Sequence, residues 1–274
     1  MLKARVVTAI LLLSGLLAAL FLLPPPAWLF LCGAVCGGAA WEWGGLARFG
    51  VRAKLILGLV FGTVCIAVGW LAGLAEARLP NAPLLLGPAY VASAVFWLAV
   101  IPFWLSRKWP LANAGLSIAV GLVVLVPPAL ALAHLRLIGP GVLLVAMAVV
   151  WVADIGAYFS GRAFGRRKLA PSISPGKTWE GAVGATLGVL IFGIAVTVTL
   201  NVPAPGGWLV FAALLVAYTA VSIVGDLFES LLKRQAGLKD SGSILPGHGG
   251  ILDRIDSLTS TLPIAGLAAL WWAR

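Results

Sequence analysis

Seven long stretches of this chain, 6–41, 55–75, 79–106, 109–135, 137–153, 181–225 and 257–273, contain no Asp, Glu, Lys or Arg. A helix crosses the hydrocarbon of a bilayer with about 20 apolar residues, within a range of about 17–25. Five stretches are read as one span each. The first and sixth are too long for one helix, and each is broken near its middle, by Pro24-Pro25-Pro26 and by the Pro- and Gly-rich segment 201–207. Proline removes a backbone donor and blocks helix continuation, so both are read as pairs of spans, giving nine in all. Pro127-Pro128 is expected to kink its helix or end it early. Only 10% of the residues are charged and 61% are hydrophobic, whereas soluble domains carry roughly a quarter charged residues. A soluble enzyme, a disordered tail and a secreted disulfide scaffold are thereby excluded. The expected fold is an all-α polytopic integral membrane protein, one domain over 1–274.

Orientation follows from the basic residues, which concentrate in cytoplasmic loops. With nine spans, 16 of the 19 Lys and Arg fall on the side of the N-terminus, leaving Arg78, Arg136 and Arg274 opposite. The N-terminus is therefore expected in the cytoplasm. Lys3, Arg5 and the apolar residues 6–23 could form a signal peptide, but the run is long for that role and is read as a retained first span. A net charge of +10 would suggest nucleic acid in a soluble protein; here the charges belong to a bilayer surface, and no nucleic-acid partner is expected. Cys32, Cys36 and Cys65 lie in apolar stretches and read as small buried hydrophobes.

Acids are costly at a membrane and often functional there. Seven of the nine lie between 154 and 256, on two loops, 154–180 and 226–256, expected on the cytoplasmic side. The other two read blandly: Glu42, between Trp41 and Trp43, as an interfacial anchor, and Glu76 as a helix-end charge. Asp226 and Glu229 fall one turn apart on a helix face, with Lys233 one turn further. Asp226 directly follows a charge-free run, so it needs a cation, either a metal or a lysine. Gly247, Gly249 and Gly250 can turn backbone N–H groups toward an anion, and His248 between them is read as a phosphate contact. Asp253 and Asp256 then share one face of a helix start and, with Asp226, can form a hard-oxygen site. Few acids, phosphate-binding glycines and nearby lysines match how Mg²⁺ is held.

In the first loop Asp154, Tyr158 and Arg162 recur every four residues along one helical stripe. Gly176-Lys177-Thr178 imitates the end of a Walker A loop, but Pro171 stands where its first glycine belongs, and no strand is expected before it. That motif is rejected. Lys177 and Thr178 remain phosphate ligands at a helix N-terminus.

The segment Ser230-Leu231-Leu232-Lys233-Arg234, then Lys239-Asp240-Ser241-Gly242, Leu245-Pro246-Gly247-His248-Gly249-Gly250-Ile251 and Asp253-Arg254-Ile255-Asp256, resembles the motif of the phosphatidate cytidylyltransferase family throughout. Asp154 to Arg162, Phe164-Gly165 and Ser174 to Gly181 look similar to that family as well. The resemblance implies condensation of CTP with phosphatidic acid to CDP-diacylglycerol and pyrophosphate, in a bacterial inner membrane with the site facing the cytoplasm. It implies a Mg²⁺ site, two ions centred on Asp226 and Asp253 with Glu229 nearby, and a homodimer among membrane lipids. Asp226, Asp253, Lys239 and Asp256 are then the expected catalytic residues. Arg162, Ser174, Lys177, Thr178, Lys233, Arg234, Gly247, His248, Gly249, Gly250 and Arg254 are the expected substrate contacts. Arg162 and Lys233 are assigned to the lipid and Lys177 to the nucleotide. Residues 1–150, spans one to six, become a scaffold carrying dimer contacts; 151–274 become the catalytic part. Two other readings stay open: a CTP-dependent polyprenol kinase, and an ion or proton transporter, which would place its acids within the spans.

Overall fold

The computed structural model describes residues 2–77, 82–244 and 249–272. Its helices are α1 (Leu2–Leu22), α2 (Pro25–Leu46), α3 (Val51–Leu71), α4 (Ala82–Val95), α5 (Ile101–Arg107), α6 (Ala114–Ile138), α7 (Pro140–Phe164), α8 (Trp179–Thr199), α9 (Gly207–Ala236) and α10 (Leu252–Trp272). A π-helical turn, Phe96–Val100, joins α4 to α5. Pro102 has no N–H to give to the preceding turn, and a wider turn absorbs that missing bond. Among the described residues, six helical segments are long and apolar enough to cross a membrane: Val51–Leu71, Ala82–Arg107 and those of α6, α7, α8 and α9. Their outward faces carry large apolar side chains such as Leu59, Phe103, Ile191 and Leu209, exposed as a lipid-facing surface would have them. The chain is a helical membrane protein.

The sequence breaks fall where proline and glycine act locally. Pro25 opens α2 at a position where a missing N–H costs nothing. Gly206, just before α9, and Gly207, its first residue, take φ of 67° and 83°, a left-handed backbone that side chains disfavour. Asn113 caps α6 by accepting from the Leu116 N–H at 2.8 Å. Of the two outcomes expected at Pro127-Pro128, an early end is not found: α6 runs through the pair to Ile138. The pair lies in a run buried from Val124 to Ala131, where packed neighbours hold a helix that has lost backbone bonds.

Lipid is as apolar as leucine, so helices in a membrane associate through close packing of small residues. Gly33 and Gly37 of α2 meet Gly58 and Gly62 of α3 backbone to backbone; a Cβ on Gly37 would come within 2.8 Å of the Gly58 carbonyl oxygen. Gly156 of α7 meets Gly184 of α8 in the same way. These two tight pairs flank a core in which Phe228 of α9 makes edge-on contacts with Phe96, Trp97 and Trp104, at centroid distances of 6.3, 5.6 and 5.7 Å. That aromatic nest fixes the end of α9 that carries Asp226 and Glu229.

One element departs from an all-α description. Lys168–Ala170 (β1) and Ser174–Thr178 (β2) form a two-stranded antiparallel hairpin between α7 and α8. The observed loops are also shorter than the expected 154–180 and 226–256. Helix α7 continues through Asp154 to Phe164, and α9 runs through Asp226, Glu229 and Lys233 to Ala236.

Candidate active site

Four helices and the hairpin converge on a cavity of about 610 Å³, within the size range of small-molecule sites. Asp154, Tyr158 and Arg162 reach it from α7, Lys177 and Thr178 from β2, Asp226 from α9, and Asp253 and Asp256 from α10. A larger groove of about 830 Å³ lies on the opposite face of the α7–α8 pair, lined by Phe164, Trp179, Val183 and Leu187. Its one carboxylate, Glu180, accepts from the backbone N–H groups of Arg166 and Arg167 at 3.1 and 3.2 Å and thereby ties the hairpin to α8. The concentration of reactive groups is in the first cavity.

The helical stripe in α7 is real: Arg162 Nη1 donates to the Tyr158 hydroxyl at 3.0 Å, and Asp154 lies two turns earlier. The Lys177 ammonium pairs with the Asp226 carboxylate, which also accepts from the Ser230 hydroxyl at 3.2 Å. Asp226 thus has the cation that its place at the end of a charge-free run demands. Thr178 caps α8, its hydroxyl oxygen accepting from the Gly181 N–H at 3.1 Å; the O–H donor is left for a ligand. Ser257 N–H donates to Asp256 Oδ1 at 2.7 Å.

Asp253 is the most connected carboxylate of the cavity. Oδ1 takes the Lys233 ammonium at 2.7 Å, and Oδ2 takes the N–H groups of Ser241 and Gly250 at 2.9 and 2.8 Å. The Gly250 N–H, expected to cradle phosphate, is therefore committed within the chain. Gly249 has φ of 79° and lies against Asp253. Gly247 and His248 fall outside the described residues. Lys233 also binds Glu229 at 2.8 Å, and its side chain is 13% exposed. It is a largely enclosed clamp between two carboxylates rather than a cation reaching sideways to lipid. Glu229 sits behind Lys233, outside the cavity lining. Arg234, Lys239 and Arg254 are exposed and Ser174 is half-buried in β2; the cavity walls do not include them.

The cavity presents four carboxylates against the cations of Lys177 and Arg162. An acidic cavity repels phosphates unless a further cation intervenes, and carboxylate oxygens are the donors that a hard divalent ion prefers. Among the described residues no three His, Cys, Asp or Glu side chains converge as a ready-made metal cage. Mg²⁺ is commonly held by one or two carboxylates plus substrate phosphates, and this donor set fits that arrangement.

Asp154, Tyr158 and Glu42 are not among the site residues expected from the sequence; Tyr158 is read there only as part of the α7 stripe. Asp154 lines the cavity, and its position immediately after a charge-free run, on a stripe with Arg162, was the signal. Glu42 is no interfacial anchor. It is 1% exposed and accepts hydrogen bonds from residues about 200 positions away, a contact that no local pattern announces.

Comparison with known proteins agrees along the whole chain. The model of the cytidylyltransferase family matches residues 3–271. The phosphatidate cytidylyltransferase of Pseudomonas aeruginosa is 40% identical across 100% of this chain and 98% of its own length. That of Haemophilus influenzae is 39% identical across 96% of each. A match covering nearly every helix, with the acidic cavity built from the motif-bearing segments, makes the chain a member of the cytidylyltransferase family.

Proposed function

We infer that this membrane protein condenses CTP with phosphatidic acid, forming CDP-diacylglycerol and pyrophosphate. Its full-length kinship with phosphatidate cytidylyltransferases carries the reading. The chemistry of the cavity supports it. An oxygen of the phosphatidate monoester attacks the α-phosphorus of CTP, and the bond to the pyrophosphate oxygen breaks. A phosphate monoester is already ionised near neutral pH, so no general base is required. What remains is positioning and charge neutralisation.

Lys177, at the mouth of α8, is placed to exchange its partner Asp226 for nucleotide phosphate, aided by the helix N-terminus. Arg162, exposed in the last turn of α7, is placed for the headgroup of the lipid. Asp226 and Asp253 would hold Mg²⁺ in a two-ion site, and the bound metal would neutralise charge between attacking and leaving oxygens. Asp253 can do so while keeping Lys233, because each carboxylate oxygen has two lone-pair positions.

Nine spans with the N-terminus in the cytoplasm would put this cavity where CTP is found, in a bacterial inner membrane, and the protein is taken to work as a homodimer. Cysteines introduced at Ser172 and Ser243, both exposed, test the orientation. In right-side-out vesicles they should resist an impermeant maleimide until the membrane is opened; labelling from outside would overturn the topology. Release of labelled pyrophosphate from CTP and phosphatidate tests the reaction, whereas release of CDP with a lipid alcohol would indicate a kinase.

The division between substrates is tested by kinetics. Lys177→Ala should raise the KM for CTP by about tenfold and Arg162→Ala that for phosphatidate by a similar factor, the loss of one charge-assisted contact each. Equal effects on both substrates would show a shared phosphate site. A reversed pattern would move the lipid to the Lys177 side.

A further inference from the structure

Glu42 belongs to α2, in the half of the chain that the sequence casts as scaffold. Its carboxylate is buried and, among the described residues, has no Lys or Arg within ion-pairing distance. It is satisfied by the start of the catalytic segment instead. Oε1 accepts the Ile251 N–H at 3.0 Å, and Oε2 accepts the Leu252 N–H at 2.8 Å and the Ser241 hydroxyl at 3.0 Å. The N–H groups of 251 and 252 open α10, so the carboxylate also lies at the positive end of that helix. Ser241 passes the contact on. Its hydroxyl oxygen accepts from the Asp253 N–H at 3.3 Å, and its own N–H donates to Asp253 Oδ2 at 2.9 Å. Gly242 and Gly250 press against the same carboxylate so closely that a Cβ on either would overlap it. The absence of side chains at these two positions therefore serves approach to Glu42, whatever the remaining glycines of the loop do.

We propose that Glu42 is a positioning residue for the cytidylyl transfer: through Ser241 and the first turn of α10 it fixes where the Asp253 carboxylate stands in the cavity. It does not line the cavity. This rests on the functional reading above and deepens it, because it assigns a residue of the N-terminal half to the reaction. The chemistry suits the task. Three charge-assisted hydrogen bonds converge on one buried side chain, anchored on a helix that packs tightly on α3, so the loop has one low-energy seat.

The test uses the full-length protein in detergent with phosphatidate micelles. A cysteine at Ser243 serves as reporter; the native Cys32, Cys36 and Cys65 are buried. Glu42→Ala should lower kcat by about a hundredfold, the scale of a displacement of about 1 Å in a catalytic group. It should also raise the maleimide reactivity of the Ser243 reporter several-fold. Glu42→Gln keeps an acceptor for Leu252 and Ser241 and loses that for Ile251. It should recover part of the hundredfold loss and leave a deficit of about tenfold for the one lost bond. Ser241→Ala should cost much less on the Glu42→Ala background than alone, because both residues act on Asp253 through one chain of contacts.

A Glu42→Ala protein with kcat within threefold of the parent overturns the proposal, as does lost turnover with unchanged loop reactivity. If Glu42→Ala does not yield folded protein, Glu42→Gln decides: parental values for both kcat and loop labelling overturn the proposal. A parent that forms no CDP-diacylglycerol would refute the functional reading instead. The labelling series would still report whether Glu42 seats the loop.

Discussion

Asp226→Asn is expected to lower turnover by about a hundredfold or more, the upper end of the losses seen when even the surroundings of a metal ligand are altered, while the protein stays folded. The side chain is partly exposed to the cavity and pairs with Lys177 and Ser230. An asparagine retains the shape and an acceptor for Ser230. It loses the charge that holds Lys177 in place and the donor best suited to a hard cation. Ground-state packing is therefore preserved while the electrostatics of the reacting centre change. Pyrophosphate release at saturating CTP, phosphatidate and Mg²⁺ measures the effect, with thermal unfolding as the check on folding. Residual activity above a tenth of the parent would mean that Asp226 is a partner of Lys177 and nothing more.

The parts of this architecture that depend on local chemistry are legible in the sequence. Proline and glycine act on their own backbone, so the breaks at 24–26 and 201–207 could be read directly. The four-residue stripe Asp154, Tyr158, Arg162 announced a continuing helix, and the structure extends α7 through it. Periodicity gives the face of a helix but not what stands opposite. Lys233 has the spacing of a headgroup ligand, yet α10 brings Asp253 against it and turns it inward. Glu42 has the flanking tryptophans of an interfacial anchor, yet it meets a loop 199 residues further along the chain. The hairpin was missed for a related reason: Ser174-Pro175-Gly176 has no strand-forming composition. Its pairing with β1 is aided by Glu180, which binds the backbone of Arg166 and Arg167 from the first turn of α8.

Lys233→Met is expected to destabilise the protein by about 3–5 kcal/mol, the cost of breaking a buried ion pair by removing one partner. The side chains of Lys233, Glu229 and Asp253 are 13, 5 and 6% exposed, and one ammonium serves both carboxylates at 2.8 and 2.7 Å. Its removal leaves two like charges facing each other in a poorly hydrated place. Glu229 has no compensating contact to fall back on, since its Oε1 already lacks a hydrogen-bond partner. Asp253 retains the Ser241 and Gly250 N–H groups, so the larger share of the penalty falls on Glu229. Thermal unfolding in detergent should register a drop of roughly 6–20 °C, at the 2–4 °C per kcal/mol of a domain this size. Lys233→Met combined with Glu229→Gln removes one cation and one anion together, and should recover more than half of the loss. Because Asp253 moves when its clamp is lost, turnover with CTP and with phosphatidate should fall together. Selective weakening of phosphatidate use at parental stability would instead place Lys233 on the lipid headgroup and contradict the enclosed clamp.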